Sequence, residues 1–440
     1  MWLGVDDTDG PSGGCTTFVL TEIVAAAGRL GFDLIGDPRL VRLDPNIPWK
    51  TRGNGALAAR FGHGAGRRRK VGEIDGHSVY SYPKARPLRP DERRRLVDVA
   101  WTAVLGARAQ DPGSDPALVA SSRPLPLALY RAAVSTRVPL AVATRACRRA
   151  HAEVRTEGSR RGIVGAAAAL AWPGRRATWE LLTYRAPDRI GDRREVNPES
   201  VRRAARRFPS LFLCYDPRTR RLMVTPHTAC PILFGLRSTD ARILDRARRS
   251  IRSEPVERWL VFRTNQGTGD HVQPRRVRDL RPFDAARLRG TVAGVPVDRP
   301  GGHVAFELRD PTGTVLCVAF EPTKTLPAVA RSLRPGDRIS VWGGRGRDRS
   351  FRLEGIIILG RPPRYRVLPP RCPACRRAAG SLGRGRGYRC PGCRRRFPPE
   401  AARRVLEPPA FPRGTYHPTP SARRHIAPRG PEVTGPAADL

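Results

Sequence analysis

Four of the nine cysteines form two short pairs near the C-terminal end, and their spacing constrains the fold more than any other feature of the chain. The pairs are Cys372 with Cys375 and Cys390 with Cys393, and 14 residues separate them. Each Cys-x-x-Cys pair closes a tight turn that presents two thiolates, so two pairs fit one tetrahedral zinc ion. Two disulfides or a redox pair are the alternatives. We therefore predict a zinc ribbon at residues 368–400, with these four cysteines as the zinc ligands.

The charge of the chain is strongly positive. Lys and Arg number 81 against 40 Asp and Glu, which gives a formal net charge of +41, and all but four of the 81 are arginines. Arginine binds phosphate through two parallel hydrogen bonds and stacks on bases, so this composition favours a nucleic acid as the partner over a membrane surface. GC-rich coding accounts for part of the arginine excess, but the remaining balance is still basic.

The sequence contains neither a membrane span nor a signal peptide. No apolar run approaches the ~18 residues that a spanning helix needs. The N-terminus lacks the basic-then-apolar pattern of a secretory signal. We therefore predict a cytoplasmic protein with no membrane partner, and the sequence indicates no particular oligomeric state.

Three aspartates follow a short apolar segment at the N-terminus. Asp6, Asp7 and Asp9 come after a predicted strand at residues 2–5, and an apolar run of helical period begins at Thr16. Such a turn puts hard oxygen ligands for Mg²⁺ beside a helix N-terminus, which favours phosphate. The pattern therefore predicts a nucleotide-phosphate site. The alternative is a solvated acidic turn in which Asp9 or Thr16 caps the helix.

A basic loop with two glycines lies further along the N-terminal region. It contains Lys50, Arg52, Gly53, Asn54 and Gly55, whose cations and backbone N–H groups suit phosphates. An ordinary basic surface loop is the alternative. No Walker P-loop pattern occurs in the sequence, so a nucleotide site here would be of another kind.

A second basic segment precedes an alanine-rich run. Arg160 and Arg161 stand between Gly158 and Gly162, and such a segment suits phosphate contact at a helix start. A turn into a packed helix is the alternative. The surrounding residues 116–280 mix helical and strand patterns and predict an α+β domain of ferredoxin-like size.

The C-terminal third contains a barrel pattern and a polar tail. Alternating apolar residues predict five strands within 285–362, with a turn at 311–313 and a helix near 326–333, as an OB-fold requires. Such a barrel binds nucleic acid through basic and aromatic side chains, or serves as a structural module. Residues 401–440 are rich in Pro and Arg and predict a disordered basic tail.

Several longer motifs occur in a fixed order, and together they resemble one enzyme family, the archaeal 2-agmatinylcytidine synthetases that modify the minor isoleucine tRNA. The resemblance extends from residue 1 to about residue 400 and excludes the tail. The motifs that carry it are residues 4–9 (GVDDTD), 15–17 (CTT), 38–43 (PRLVRL), 46–55 (NIPWKTRGNG), 161–166 (RGIVGA), 230–237 (CPILFGLR) and 262–268 (FRTNQGT), together with the two cysteine pairs.

The resemblance implies a multidomain α+β fold. The implied order is an α/β kinase-like ATP-binding domain (1–115), a ferredoxin-like domain (116–280), an OB-fold barrel (285–362) and a zinc ribbon (368–400), followed by the tail (401–440). It also implies that ATP and agmatine convert the wobble cytidine of the isoleucine tRNA with a CAU anticodon to 2-agmatinylcytidine, releasing AMP and phosphate and allowing AUA decoding. Phosphorylation would turn the cytosine C2 oxygen into a leaving group that the agmatine amine displaces, with Mg²⁺ neutralising phosphate charge.

The resemblance also implies roles for the candidate residues. Asp6, Asp7 and Asp9 hold Mg²⁺ or position the attacking group, and Thr16 accepts a phosphoryl group or contacts metal and phosphate. The ATP phosphates are contacted by the two basic segments, namely Lys50, Arg52, Gly53, Asn54, Gly55, Arg160 and Arg161. Glu180 is the candidate for binding the agmatine cation, and an exposed strand glutamate is the alternative.

The acidic loop departs from the family pattern in two places. Gly10-Pro11 stands where a serine is expected, and Gly13-Gly14 replaces a bulkier second residue. Neither change removes a charged group, so they affect the shape of the loop more than its chemistry.

Two other function classes remain open from the sequence. One is a non-enzymatic nucleic-acid-binding protein built on the OB-fold and zinc ribbon, and the other is a plain protein or small-molecule kinase. The intact acidic cluster favours the enzyme over the binding protein, and the ribbon and arginine content favour it over the kinase.

Overall fold

The computed structural model describes residues 1–51 and 53–424 of the chain. Two parts of the sequence analysis lie outside the described residues: Arg52, a candidate phosphate contact, and residues 425–440, the last part of the predicted tail. Among the residues that are described, no helix is both long and apolar enough to cross a membrane.

Strands and helices are interspersed from the N-terminus to Thr264, with strands on short apolar stretches and helices on longer periodic ones. In chain order they are β1 Trp2–Asp6, α1 Thr16–Arg29, β2 Asp33–Ile35, β3 Arg39–Arg42, β4 Gly55–Ala65, β5 Arg69–Ile74, β6 His77–Tyr82, β7 Lys84–Arg86, α2 Pro90–Ala107, β8 Ala117–Ser121, α3 Leu127–Ala133, α4 Leu140–Arg149, β9 Glu153–Thr156, α5 Gly162–Ala171, β10 Thr178–Tyr184, α6 Pro198–Arg207, β11 Leu211–Phe212, β12 Tyr215–Asp216, β13 Arg221–Leu222, β14 Ile232–Ser238, α7 Leu244–Arg249 and β15 Arg258–Thr264.

Thirteen of these strands form one sheet. Its order is β11-β14-β10-β15-β5-β6-β2-β4-β1-β8-β9, while β3 pairs with β15 and β4, and β7 pairs with β4. Strands β8 and β9 follow residue 115 in the chain, and β15 pairs with both β3 and β5. One sheet therefore runs through both regions that the sequence analysis divided at residue 115, and that division stays a prediction.

Strand β1 is covered by helices on both faces. Leu3 and Val5 are buried in a cluster with side chains of α1 and α2, and α3, α4 and α5 form a second cluster on the other face. Gly4 lies beneath α5, where a Cβ would overlap the carbonyl oxygen of Ala166. Because successive strand residues face opposite sides, the end of β1 at Asp6 is held between α1 and α5.

Helices α6 and α7 pack on the other end of the sheet. Val201 of α6 and Leu244 of α7 are buried with Leu181 of β10 and Val261 of β15. This layer holds β10 in place, and β10 carries Glu180.

The next segment is a closed barrel. Its elements are β16 Ala285–Val292, β17 Val297–Arg299, β18 His303–Asp310, β19 Gly313–Ala319, α8 Thr325–Arg331, β20 Arg338–Arg345 and β21 Phe351–Gly360. The strand order is β16-β20-β21-β19-β18-β17, and pairing of β16 with β18 closes the barrel. The predicted strands, the turn before Gly313 and the helix near residues 326–333 are confirmed.

The cysteine pairs lie in the connections between the short strands of two small separate sheets. The strands here are β22 Tyr365–Leu368, β23 Gly380–Ser381, β24 Tyr388–Arg389, β25 Arg396–Phe397 and β26 Arg403–Leu406. Strands β23, β24 and β25 form one antiparallel sheet, and β22 pairs with β26. The pairing of β22 with β26 ties the two ends of the cysteine-containing segment together.

The polar tail has structure where the sequence predicted none. Strand β27, Gly414–Tyr416, pairs with β21 of the barrel, and Tyr416 is fully buried and donates a hydrogen bond to the carbonyl oxygen of Pro412. Further on, the backbone N–H of Ser421 donates to Asp216 on β12. The prediction of a disordered tail is therefore wrong for residues 401–424, because a few apolar side chains dock on the barrel despite the polar composition.

Candidate active site

A cavity of about 600 Å³ lies beside the C-terminal end of β1. Its wall brings together ten of the residues proposed from the sequence: Asp6, Asp7, Asp9, Thr16, Lys50, Gly53, Asn54, Gly55, Arg161 and Glu180. Arg160 is exposed and does not line this wall; its positive φ of 67° turns the chain into α5. The cavity is large enough to hold a nucleotide or another small ligand.

The acidic turn packs against the N-terminal end of α5. Asp6 is the last residue of β1, and Asp7 has a left-handed backbone with φ of 59°. A Cβ at Gly165 would overlap the carboxylate of Asp6, and one at Gly162 would lie 3.1 Å from the Cβ of Asp7. Residues three apart share one face of a helix. Because Gly162 and Gly165 have no side chains, this face of α5 lets the carboxylates of Asp6 and Asp7 come close to the helix.

The carboxylates of the turn repel one another. Burial and the charges of Asp7 and Asp9 hold the pKa of Asp6 well above its ordinary value. Burial also raises the pKa of Asp7 to about 7. The nearby guanidinium of Arg161 lowers this pKa, while the negative charges of Asp115 and Asp9 raise it further. A cation at this turn would relieve the repulsion.

The three aspartates do not form a ready-made cage for one metal. Among residues 1–51 and 53–424, the group of metal-binding side chains with ligand atoms within 4.8 Å of one another is the four cysteines. Mg²⁺ usually binds to one or two carboxylates, water and substrate phosphates, rather than in an all-protein cage. The turn therefore fits a Mg²⁺ ion that arrives with a nucleotide.

Asp115 fixes the position of Arg161, and sequence reasoning missed it. Its carboxylate accepts hydrogen bonds from the Ser159 backbone N–H at 2.7 Å and from Nη2 of Arg161 at 2.8 Å, and also from the Ser159 hydroxyl. Burial alone would raise the pKa of Asp115, but these bonds outweigh it and lower the pKa. Asp115 precedes a proline and belongs to no charged motif, so nothing in the sequence connects it with Arg161.

Helix α1 begins at Thr16 without a side-chain cap. Cys15 occupies the N-cap position and makes no capping hydrogen bond, while its sulfur lies 2.9 Å from the hydroxyl oxygen of Thr17. Cys15, and not Thr16, therefore stands at the N-cap position, which corrects that part of the alternative. Cys15, Thr16 and Thr17 all line the cavity, so this helix end faces the same ligand space as the acidic turn.

The loop between β3 and β4 is anchored at its base. The Asp44 carboxylate accepts the Asn46 backbone N–H at 3.0 Å, and the Asp44 carbonyl accepts the Asn54 side chain at 2.6 Å. Burial raises the pKa of Asp44 to about 7. Burial and the charge of Arg424 lower the pKa of Lys50. The anchored base holds Lys50 and residues 53–55 at the cavity wall.

Glu180 is buried and paired with two arginines. Its side chain is 1% exposed, and its two oxygens lie 3.1 Å from Nη2 of Arg42 and 3.0 Å from Nε of Arg237. Burial would raise the pKa of Glu180, but Arg237 and Arg42 outweigh it and lower the pKa. The alternative of an exposed strand glutamate is therefore wrong.

The backbone of Arg42 is gripped by a polar network that sequence reasoning did not assign. Asn265 accepts the Arg42 N–H at 2.7 Å and donates to the Arg42 carbonyl at 2.9 Å, and Nε2 of His271 lies 3.0 Å from the same carbonyl. Asn265 also donates to the hydroxyl of Tyr130, which donates to Asp270. The 262–268 motif thus positions Arg42 at the cavity wall. The polar composition of the motif was the one sequence signal for this role.

The four cysteines converge, although they lie away from the cavity. The sulfurs of Cys372, Cys375, Cys390 and Cys393 are within 4.8 Å of one another, and none is in a disulfide. Backbone N–H groups of Cys393 and Gly392 lower the pKa of the Cys390 thiol to about 7. Four closely spaced sulfurs of this kind fit a tetrahedral zinc ion, and the disulfide alternative is wrong.

Family models match most of the chain. The models described as the TiaS TCKD domain and the TiaS FLD domain match residues 2–157 and 160–271, and the model of an OB-fold nucleic-acid-binding domain matches residues 286–354. The OB-fold prediction is therefore confirmed.

Curated relatives match over nearly the whole chain. The 2-agmatinylcytidine synthetase TiaS of Archaeoglobus fulgidus, named for its action on the minor isoleucine tRNA, is 33% identical, covering 97% of this chain and 96% of the relative. The enzyme of the same name from Thermofilum pendens is 34% identical, with 98% and 95% covered.

Solved structures agree with these matches. Apo TiaS superimposes with a TM-score of 0.83 at 31% identity, covering 99% of this chain and 98% of the other. A complex of TiaS with the minor isoleucine tRNA and ATP gives a TM-score of 0.79 at 31% identity, with 97% and 95% covered. The resemblance based on the motifs is confirmed, and the chain belongs to the TiaS family, the 2-agmatinylcytidine synthetases of the minor isoleucine tRNA.

Proposed function

We propose that this protein is an ATP-dependent ligase that joins agmatine to C2 of the wobble cytidine of the minor isoleucine tRNA, which has a CAU anticodon. The observation that carries the proposal is one cavity that combines the acidic turn, the N-terminal end of α1 and paired cations. A relative that is 29% identical, with a TM-score of 0.78, has been solved with this tRNA, AMPCPP and agmatine. The product would let the tRNA decode AUA.

The proposed chemistry needs a phosphorylated intermediate. An amine cannot displace the C2 oxygen of cytosine until that oxygen becomes a leaving group, so ATP first transfers a phosphoryl group to it, and agmatine then displaces phosphate. This first transfer leaves ADP, so release of AMP would require a second transfer, of the β-phosphoryl group to the Thr16 hydroxyl, from which water would then release phosphate. The overall products would then be AMP and two phosphates. Mg²⁺, when bound, would neutralise charge on the phosphates. We assign Asp6, Asp7 and Asp9 to hold the ion and orient the phosphates.

Cationic and backbone groups at the cavity wall would contact the ATP phosphates. Arg161 is already oriented by Asp115, so little side-chain freedom is lost when it binds phosphate. Lys50 and the Gly53–Asn54–Gly55 backbone approach from the anchored loop. Arg160 is exposed outside the wall, so its contact would require phosphate to extend beyond the cavity.

Thr16 is the proposed phosphoryl acceptor or phosphate contact. The residue is 7% exposed, stands first in α1 and lines the cavity. A hydroxyl there shares the cavity wall with the acidic turn and lies at the positive end of the helix dipole, which would stabilise a phosphoryl group.

We propose that Glu180 positions cations rather than binding agmatine directly. Both of its oxygens already pair with arginines, and a dicationic amine would have to displace one of them. Held in this way, Arg42 and Arg237 offer their remaining donors to the cavity they line. They would contact phosphate or a base carbonyl, which are acceptors that suit a guanidinium.

We further propose the domain types that accompany this activity. A kinase-like domain (1–115) and a ferredoxin-like domain (116–280) would form the catalytic part, and the OB-fold (285–362) and zinc ribbon (368–400) would bind tRNA. The four converging cysteines support zinc as the ion of the ribbon. A cytoplasmic location would follow from the tRNA substrate.

The experiment is an assay of AMP release from radiolabelled ATP in the presence of Mg²⁺. We expect AMP only when both the minor isoleucine tRNA and agmatine are present, and we expect the Asp7→Asn variant to form none. Asp98→Asn is the matched control, because Asp98 lies on α2 and pairs with Arg155 away from the cavity. A protein that binds tRNA without releasing AMP would contradict the proposal and favour the non-enzymatic binding protein.

A further inference from the structure

Trp49 is an exposed aromatic residue at the wall of the active-site cavity. The residue is 45% exposed, and it is the only tryptophan in the described part of the chain with that degree of exposure. It lies in the anchored loop between β3 and β4, beside Lys50. A large apolar ring exposed at a binding cavity indicates a contact surface.

A cation pairs with this ring from a different segment of the cavity wall. The guanidinium carbon of Arg137 lies 4.9 Å from the centroid of the Trp49 ring, and both residues line the cavity. Arg137 belongs to the connection between α3 and α4. An indole paired with a guanidinium presents a flat surface beside a positive charge, which suits a nucleobase with its phosphate.

The support of both side chains is ordered by hydrogen bonds. The backbone N–H of Asp44 donates to the Ala133 carbonyl at 3.0 Å, which ties the Trp49 loop to the end of α3. The Asp44 and Asn54 contacts described above close the same loop at its base. A ligand that stacks on Trp49 would therefore meet a surface that is held in place before binding.

We propose that Trp49, backed by Arg137, is a stacking platform for a nucleobase of the tRNA anticodon loop next to the wobble cytidine. This inference rests on the proposed function, because it requires that cytidine to enter the cavity. Taking a base out of its stack costs free energy, and an aromatic side chain that stacks on the neighbouring base offsets that cost. The adenine of ATP is another nucleobase, but the exposed position of Trp49 favours the base that arrives from outside.

The test is a double-mutant cycle on tRNA affinity. The proteins are wild type, Trp49→Ala and Trp49→Phe, and the ligands are the intact minor isoleucine tRNA and two tRNAs with an abasic residue on either side of the wobble cytidine. Base stacking measured by alanine substitution corresponds to about 5- to 150-fold in affinity. We expect Trp49→Ala to lose that factor with intact tRNA, and Trp49→Phe to retain most of the affinity. One of the abasic tRNAs should bind wild type and Trp49→Ala equally.

Two controls make the outcome specific. Tyr80→Ala removes an aromatic ring whose centroid lies 4.1 Å from the guanidinium carbon of Arg68. Tyr80 does not line the cavity, so this variant should leave tRNA affinity unchanged. Thermal unfolding of Trp49→Ala should match wild type, since the side chain is exposed.

Two results would overturn the proposal. One is that Trp49→Ala lowers the affinity for the intact and abasic tRNAs equally, or lowers the affinity for none of them. The other is that it raises the KM for ATP without changing tRNA affinity, which would assign the ring to adenine. Formation of 2-agmatinylcytidine by wild type is measured in parallel. If wild type binds tRNA without modifying it, the proposed function fails, while the cycle still reports whether Trp49 stacks on RNA.

Discussion

Replacing Glu180 should destabilise the N-terminal sheet far more than replacing a typical surface glutamate. Its carboxylate makes two charge-assisted hydrogen bonds from a position that is 1% exposed. Removing one partner of a buried ion pair costs about 3–5 kcal/mol, because the opposite charges are left unpaired. Arg42 and Arg237 keep side-chain exposures of 20% and 21%, so water recovers part of that cost. We therefore expect a loss of about 3 kcal/mol for Glu180→Ala.

The glutamine variant separates charge from shape. Glu180→Gln keeps one acceptor oxygen but points an amide N–H₂ at the other guanidinium, so we expect a loss of about 2 kcal/mol. The matched control is Glu199→Gln, whose carboxylate is 45% exposed and pairs with Arg202, and which should leave stability nearly unchanged. The assay is urea unfolding followed by tryptophan fluorescence, which Trp179 and Trp259 report from β10 and β15.

The effect of Glu180 should also depend on pH. The pKa of Glu180 is lowered in the folded protein, so its stabilising contribution is complete above the ordinary glutamate pKa and is lost as the pH falls through the folded value. The stability difference between wild type and Glu180→Gln should therefore shrink in acid. Equal stability of wild type, Glu180→Ala and Glu180→Gln at pH 7 would refute this reasoning. A higher KM for agmatine in Glu180→Asp, with unchanged stability, would instead show direct contact with agmatine.

Three further predictions test the site, the ribbon and the tail. Gly165→Ala should lower the rate of tRNA modification about 100-fold, because the added Cβ displaces the carboxylate of Asp6. The control is Gly106→Ala, which has open space around it and should not change the rate. Equal rates for the two variants would contradict the packing argument. Cys390→Ser should reduce zinc measured by mass spectrometry from about one ion per chain to near zero and weaken tRNA binding but not ATP binding; retained zinc would contradict the Cys₄ assignment. Tyr416→Ala should lower the free energy of unfolding of the barrel, measured in urea, by about 3–5 kcal/mol. Tyr365→Ala, at a residue that is 51% exposed, should have little effect. Equal effects of the two variants would support a disordered tail.

Local patterns predicted the parts of the site that are close together in the chain. The start of α1 at Thr16 followed from apolar spacing, and the convergence of Cys372 and Cys390 followed from the geometry of two metal-binding turns. The barrel strands followed from alternation, because one face of each strand is buried. In each of these cases the signal and the structure lie within one short segment.

Long-range contacts were not predictable from these patterns. Asp115 holds Arg161 across 46 residues, and Asn265 grips Arg42 across 223 residues, so neither pair leaves a local signal. The tail was misjudged for a different reason. The average composition of residues 401–424 is too polar to predict folding, but the buried ring of Tyr416 and the pairing of β27 with β21 dock this segment on an existing barrel.

The most direct test of the central claim is mass spectrometry of nucleosides from the minor isoleucine tRNA after incubation with the protein, ATP, Mg²⁺ and agmatine. The account predicts that the wobble cytidine gains the mass of one agmatine less one water, and that Asp7→Asn produces no gain. An unchanged wobble cytidine with the wild-type protein, despite bound tRNA, would contradict the assignment of this cavity as the site of agmatine transfer.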